Sequence, residues 1–595
     1  MQIAKIVPNV RTREEGVFDY AIPPEILPMI RIGILVKIPF HGRDVEGIVI
    51  DIKRTSAISN LKSIIKVIDT LPVIDNIHIK LAQWMSEYYL EPFSKCLFEN
   101  IVPVAKRIVK NDGELETKSV KSQSFKYLIV SDFQTRFKFY QKAISKTLAC
   151  NKQVIILVPD LANVHFFTKE MKQPISIIHS GLTRTQRYFE WQKIRDSKVQ
   201  IVIGSNSALF SPVKNLGLII VDQEENETYK SFQSPRFHAV KTAEKLAEFS
   251  GANLILGSLS PRVETYYNAL KGKYKLLKSS QQQKQISIVN MNFERGILSN
   301  PLQSNIDDTL LKKKKVLLVL NRKGEGTKFS CADCGWIAIC EKCGLPLVPQ
   351  KTGSICYNCE RKSLLPASCP KCYGIHLKPF GMGTKKLAKF VHDFWPNKNV
   401  IIIEKESGIT NNTWDIAIAT SFALKFSLPR IGFVGIIDAD QSLNFPDFHS
   451  SEKTFQTLYK FLKVGEKGMI QTHLPENPTI SALGQDSYEK FFLSELENRK
   501  KSSFPPSTKL TRLLYKNTDE EICRRETEKV IKKLVTSNQE LEILGPSPCF
   551  IKKEQDKFRY QIILKHQKAF PQNTIDIIRS LPKGWIVEVD PMNLL

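Results

Sequence analysis

The sequence predicts a multidomain α/β chain: two parallel α/β lobes, a metal-binding module inserted in the second, a β-rich N-terminal domain and a C-terminal α+β domain. Three observations predict it. Apolar strand-like segments alternate with helical patterns over two long stretches, eight cysteines fall between Cys331 and Cys372, and short punctuated strands fill the N-terminal part. At 595 residues the chain has room for several domains and ample core.

Residues 1–105 open with strand-like segments at 3–7, 17–22, 33–38 and 47–50. Turn residues and prolines separate them, as in a small barrel or sandwich, and a helical pattern follows at 77–89. Residues 106–126 are rich in lysine and serine and read as a linker. In residues 127–280, strands are expected at 127–130, 154–158, 175–178, 201–203, 216–221 and 254–257, alternating with helices. A second set, at 315–320, 400–403, 414–419 and 431–437, belongs to a lobe made of 281–325 and 380–470. The cysteine module, 326–379, interrupts that lobe. Residues 471–595 form the α+β domain.

The cysteines form four C-x2-C pairs: Cys331/Cys334, Cys340/Cys343, Cys356/Cys359 and Cys369/Cys372. Each pair offers two thiolates to one Zn²⁺ across a tight turn, so eight ligands make two closed Cys₄ sites. The inner pairs have zinc-ribbon spacing, and the outer pairs then bracket them and share the second metal; a sequential arrangement is the alternative, disfavoured because only five residues separate Cys334 from Cys340. Such sites leave no open coordination position, so both zincs are expected to be structural. Disulfides are disfavoured in a large basic chain with no secretory signal. Cys96, Cys150, Cys523 and Cys549 are isolated and read as small buried hydrophobes.

The apolar fraction of 42% and charged fraction of 25% are ordinary, whereas the net charge of +26 is not. A positive field spread along the chain favours polyanions, above all nucleic acid. No run of about 18 apolar residues exists to span a membrane.

At this point the sequence resembles the primosomal replication-restart helicases of the protein N′ (PriA) family over nearly its full length. Residues 178–195, 201–230 and 254–261 look like that family's first lobe, and Phe237 and His238 sit in a segment like its PRYHA. The cysteine block with residues 381–387 resembles its zinc module and the stretch that follows. Residues 438–448, 471–478, 504–506, 544–548 and 589–595 resemble its C-terminal half, and 18–23 and 36–49 its grip on a DNA 3′ end. The resemblance implies two RecA-like helicase lobes and nested zincs. It also implies forked or single-stranded DNA as ligand, and partners that assemble the primosome and load the replicative helicase. The setting it implies is the bacterial cytoplasm, at the nucleoid. The family's winged-helix domain has no counterpart, since only the linker separates the first domain from the first lobe.

The motor chemistry departs from the family. A phosphate-binding loop needs glycines, a lysine and a Mg²⁺-binding hydroxyl. Residues 130–137, anchored on Phe139, Tyr140, Ala143 and Ile144, contain no glycine. Arg136 holds the lysine position, Phe137 the hydroxyl position, and Asp132 adds an anion. The family's DEEH reads Asp222-Gln223-Glu224-Glu225, and Gln223 cannot act as a base. The arginine-finger stretch reads Lys460 to Lys467, with Lys467 alone in register; a finger is worth about 10³–10⁵ in turnover. The motif at 419–429 is one residue short. No catalytic residue is therefore expected: Arg136, Phe137, Asp222 and Gln223 are degenerate positions, and the groups that serve ATP and Mg²⁺ are lost.

The binding parts are better kept. Phe18, Asp19, Tyr20, Phe40 and Gly42 stand where the family builds a terminal-nucleotide pocket. Asp19 suits acceptance from a 3′ hydroxyl, while Phe18 and Phe40 serve equally well as barrel core. Arg11, Arg13 and Arg43 are candidate phosphate contacts. Trp336, Lys342 and Lys371 sit on the zinc module, and Lys552, Lys553, Lys557, Arg559 and Tyr560 on the C-terminal domain. The expected function is a DNA-binding restart protein without helicase activity. The alternatives are an active ATP-dependent 3′→5′ helicase with divergent motifs, and a zinc-containing protein-interaction scaffold.

Overall fold

Five antiparallel strands open the chain in this computed structural model. It describes residues 2–10, 16–98 (57 and 59 aside), 124–279 (172 aside), 283–320 and 328–595, less 332, 335, 342–346, 351–352, 357–360, 381–382, 405–412, 427, 442, 444–446 and 538–540. Arg11, Arg13, Lys342, Cys343, Cys359 and nearly all of the expected linker lie outside the described residues.

The strands are β1 (Ile3–Pro8), β2 (Phe18–Ala21), β3 (Leu35–Phe40), β4 (Arg43–Lys53) and β5 (Lys66–Val67), in the order β2-β1-β4-β3-β5. Alternation turns Ala4, Ile6, Tyr20, Val36, Ile38 and Val49 into one core. The β3–β4 hairpin closes on His41 and Gly42, both at positive φ (46° and 76°), the backbone of a two-residue turn. Asp75 caps the next helix, Asn76–Tyr89, by accepting from His78 N–H at 2.8 Å. That helix buries Ile79, Leu81, Met85 and Tyr89, and the Tyr89 hydroxyl accepts from the backbone N–H of His238 at 3.0 Å.

The same unit continues into β6 (Lys126–Val130), β7 (Gln153–Leu157), β8 (Ile175–Ile178), β9 (Ile201–Gly204), β10 (Leu216–Asp222), β11 (Asn253–Ser258) and β12 (Lys275–Lys278). They form a parallel sheet ordered β12-β6-β11-β10-β7-β9-β8. The first six were legible as apolar runs. Strand β12, with exposed lysines at both ends, was not. This unit comprises Met1–Ser280 with Ala569–Pro582 and Val587–Asp590.

The second unit, Gln281–Lys568 with Lys583–Ile586 and Pro591–Leu595, begins with β13 (Gln285–Asn290) and β14 (Lys315–Val319). The cysteine module follows, with β15 (Lys328–Cys331), β16 (Val348–Gln350), β17 (Gly353–Ile355), β18 (Lys362–Ser363) and β19 (Leu377–Phe380). Then come β20 (Val400–Ile403), β21 (Ile416–Ala419), β22 (Ile431–Ile436) and β23 (Gly465–Thr472). The lobe's six parallel strands run β13-β23-β22-β14-β21-β20, so β13 and β23 add to the four the sequence announced. In the module β15 pairs with β19, and β16-β17-β18 form a second small sheet. The C-terminal domain orders β24 (Lys509–Asn517), β25 (Glu542–Glu554), β26 (Lys557–His566) and β27 (Trp585–Val589) as β25-β26-β24-β27, with the helix Glu520–Ser537 against it. Among the described residues no helix is long and apolar enough to cross a membrane.

Candidate functional site

Where a phosphate loop would leave β6, the chain enters the helix Phe133–Ala149 at once. Asp132 caps that helix: its carboxylate accepts from Thr135 N–H at 3.0 Å and from the Thr135 hydroxyl at 2.7 Å. Burial alone would raise the Asp132 carboxyl, but those two bonds outweigh it and hold the group below its ordinary range. A helix N-terminus is an anion site, and here a side chain of the same helix fills it. Phe133 and Phe137 stack at 5.7 Å and meet Phe166 and Phe167 at 4.9–5.9 Å, so a ring at 133 stands where a glycine would admit a phosphate and another at 137 where a hydroxyl would meet Mg²⁺.

Arg136 points inward. Its Nε donates to Asp222 at 2.9 Å, Nη1 donates to the Ser131 carbonyl, and the two side chains are 3% and 0% exposed. Burial would lower the guanidinium, but the facing carboxylate more than reverses that and raises it. The Tyr140 hydroxyl donates to the same Asp222 oxygen at 2.8 Å. A Cβ on Gly257 would lie 1.6 Å from that hydroxyl, so the close approach of β11 requires glycine. Asp222, the residue that would hold Mg²⁺, is neutralised from inside the protein.

The residues after Asp222 turn away from it. Gln223 takes positive φ (52°), and Glu224 is fully buried, accepting from Arg262 N–H and the Thr265 hydroxyl at 2.8 Å each. Burial pushes the Glu224 carboxyl up to about 8 despite Arg262. In the second lobe the helix Ser450–Val464 runs straight into β23 at Gly465. The stretch from Lys460 to Lys467 is therefore helix and strand, and Lys467 lies on β23 opposite Gln285.

The zinc module gathers its outer pairs. The sulfurs of Cys331, Cys334, Cys369 and Cys372 all lie within 4.8 Å of one another, with Cys331–Cys372 and Cys334–Cys369 at 3.6 Å. A tetrahedron of about 2.3 Å Zn–S bonds has edges of about 3.8 Å, so the four thiols fit one zinc. Turn hydrogen bonds shape both pairs: Cys331 N–H donates to Trp336 O, and Cys369 N–H to Gly374 O, each at 2.8 Å. Lys371 N–H points at the Cys369 sulfur at 3.4 Å. Of the inner pairs, Cys340 and Cys356 are described, and both are buried in a small core with Phe329, Ala338 and Leu347. Trp336 packs against that core, and Lys371 is exposed. None of the described cysteines is in a disulfide.

In the N-terminal domain the Phe18 and Phe40 rings meet edge-on at 5.1 Å, and His41 meets Phe40 at 4.5 Å. Gly42 follows at the hairpin tip, and the space over its Cα is open. Tyr20 is barrel core, 4% exposed, with its hydroxyl on the Pro39 carbonyl at 3.1 Å; it cannot present a stacking face. Asp19 leaves the opposite face of β2. Its carboxylate accepts from Lys53 at 2.6 Å and Ser56 at 2.5 Å, which outweigh burial and hold it below the usual range. The structure thus joins Phe18, Phe40 and Gly42 and sets Asp19 apart. Lys53 is a neighbour the sequence reading missed, 34 residues away along the chain with no local motif to mark it.

In the C-terminal domain Arg559 turns inward, 8% exposed, with Nη1 on the Ile551 carbonyl at 3.4 Å. The Tyr560 hydroxyl bonds Glu520 at 3.0 Å, and Lys553 lies over the Phe558 ring. Lys552 and Lys557 remain exposed.

Residues 6–102 match the PriA 3′ DNA-binding domain (3′BD), and residues 500–592 the primosomal protein N C-terminal domain. The chain is 31% identical over 471 residues to replication restart protein PriA of Bacillus subtilis (strain 168), covering 72% of this chain and 58% of that protein. To the Chlamydia pneumoniae protein of the same name it is 30% identical over 539 residues, 80% of this chain and 71% of that one. To the Treponema pallidum (strain Nichols) protein it is 29% identical over 634 residues, 95% of each chain.

Proposed function

The chain belongs to the replication restart protein PriA family, and from that premise we propose that it binds forked or single-stranded DNA to start primosome assembly without unwinding it. The observation that carries the second half is the burial of Arg136 against Asp222. Together with the Asp132 cap, it puts a resident cation and a resident anion where metal and phosphate would bind. Next to Asp222, Gln223 is an amide, Glu224 is directed to Arg262 and Thr265, and the buried carboxylate of Glu225 lies near the same Arg136.

DNA is held at the 3′ end by the N-terminal domain. Phe18 and Phe40 offer ring faces worth about 1–3 kcal/mol per stacked base, and the Gly42 turn lets backbone reach the sugar. Asp19, on the other face of β2 from those rings, keeps acceptor positions beyond those used by Lys53 and Ser56, and one suits a free 3′ hydroxyl reached around the start of that strand. Two structural zincs hold the module, the outer one on Cys331, Cys334, Cys369 and Cys372, the inner one on Cys340, Cys343, Cys356 and Cys359. Exposed Ile339, Leu364, Tyr373 and Ile375 on that module suit a protein surface, and proteins that load the replicative helicase are the expected partners.

The test is ATP hydrolysis by zinc-loaded protein with and without forked DNA, read beside DNA binding in the same samples. Binding with no hydrolysis is expected, and DNA-stimulated hydrolysis would overturn the non-motor reading. Asp19→Ala is expected to weaken binding to a 3′-hydroxyl end by about 10- to 100-fold, the worth of a hydrogen bond to a charged group. A 3′-phosphate end should lose much less. Equal losses on both ends would reduce Asp19 to a prop for Lys53.

A further inference from the structure

The amino edge of the second lobe's sheet collects cations from separate parts of the chain. Strands β13, β23, β22 and β14 are neighbours, with Gln285 opposite Lys467, Gly465 opposite Ile431 and Ile431 opposite Lys315. Their starting ends therefore align, and the residues at those ends share one rim. Lys312 and Lys313 precede β14, Arg430 precedes β22, and Lys467 lies near the start of β23; all four are exposed.

Two acids of this rim, Glu466 and Asp486, are already used. Glu466 is bridged by Lys314 at 2.5 Å, which holds its carboxyl below the usual range. Asp486 takes Lys463 at 2.7 Å and the backbone N–H of Lys284 at 2.9 Å. Lys284 is itself turned onto the carbonyls of Lys463 and Gly465, and burial, then the neighbouring Lys463, lowers its ammonium. Like charges crowded at one edge repel one another, and a polyanion laid across them relieves that repulsion.

We infer that this rim is a second nucleic-acid contact, which holds the sugar–phosphate backbone of a duplex arm independently of the 3′ end. The inference rests on the DNA-binding reading above. The three strands that carry these cations, β23, β22 and β14, lie about 4.8 Å apart and span about 10 Å. Over that length a duplex presents about six phosphate charges at one per about 1.7 Å of axis. The exposed members are three lysines and one arginine, with no ring among them to stack a base. That composition fits a backbone and not unpaired bases.

The experiment compares the full-length, zinc-loaded chain with the variant K312Q/K313Q/R430Q/K467Q on forked DNA at several salt concentrations. Each substrate carries either a free or a phosphate-blocked 3′ end. Removing four phosphate contacts should lower the slope of log K against log salt by about 3–4, with about one per single substitution. Affinity at low salt should fall by at least tenfold, with the preference for a free 3′ end unchanged. Unaltered affinity and slope in the variant would overturn the rim while leaving the DNA-binding reading intact. A parent chain that binds no DNA would overturn both. Unaltered DNA binding with lost retention on an acidic polypeptide would also overturn the proposal, assigning the rim to a protein partner.

Discussion

Replacing Arg136 by methionine is expected to destabilise the first lobe by about 3–5 kcal/mol, because it strands a buried carboxylate without its partner. Asp222 is fully buried, and its other contacts are the Tyr140 hydroxyl on a carboxylate oxygen and the Tyr229 hydroxyl on its backbone carbonyl at 2.6 Å. Neither neutralises a charge. The loss is local, so amide hydrogen exchange is the fitting measurement. Peptides spanning β6 and β10 should exchange about 10²–10³-fold faster, or more, while those of the second unit stay as they were. The double variant Arg136→Met/Asp222→Asn should recover most of the protection, since the introduced amide keeps an acceptor for Tyr140 and carries no charge. A single-variant effect under about 1 kcal/mol would mean that the pair is not a strut of the fold.

Loss of the outer zinc should have the larger structural effect, because structural zinc contributes about 10–16 kcal/mol of apparent binding energy in zinc-finger peptides. Among the described residues the module has little else to hold it, with small sheets of two and three strands and a core of a few side chains. Metal analysis of Cys→Ser variants tests both the number of zincs and their pairing. Cys331→Ser should reduce the metal from two equivalents to one and open the module to protease. The informative variant is Cys331→Ser/Cys369→Ser. With nested sites, both substitutions fall on one metal and one equivalent remains. With sequential sites, they fall on two metals and none remains.

How much of this was legible in the sequence differs from part to part. The lobes were, because β7, β9, β10 and β14 are apolar runs buried on both faces, a pattern that needs no knowledge of partners. The outer zinc site was legible because C-x2-C fixes two ligands locally and spacing limits how pairs combine. The absence of glycines from residues 130–137 was legible, but not what stands there instead. Arg136 and Asp222 lie 86 residues apart and meet only because β6 and β10 flank β11. From sequence, Arg136 read as a degenerate occupant of the phosphate-binding lysine position; the fold turns it inward onto Asp222. Tyr20 was misjudged for a related reason. In β2 the alternation that shows Asp19 to one side sends Tyr20 into the barrel, and four residues are too few to tell the core face from the outer one.

The ion pair and its ring of phenylalanines also bear on ancestry. A motor that has merely lost one residue can regain it by a single reversal. Here each single step backward is penalised. Exchanging Phe133 or Phe137 for a small residue empties part of a packed aromatic cluster, at about 3–5 kcal/mol for a phenylalanine that is buried. Exchanging Arg136 uncovers Asp222, and neither change restores a base at position 223. If the chain is not a motor, as proposed, intermediates on a return path would be less stable and still inactive, and selection would have no gradient to follow. The arrangement would then act as a one-way gate.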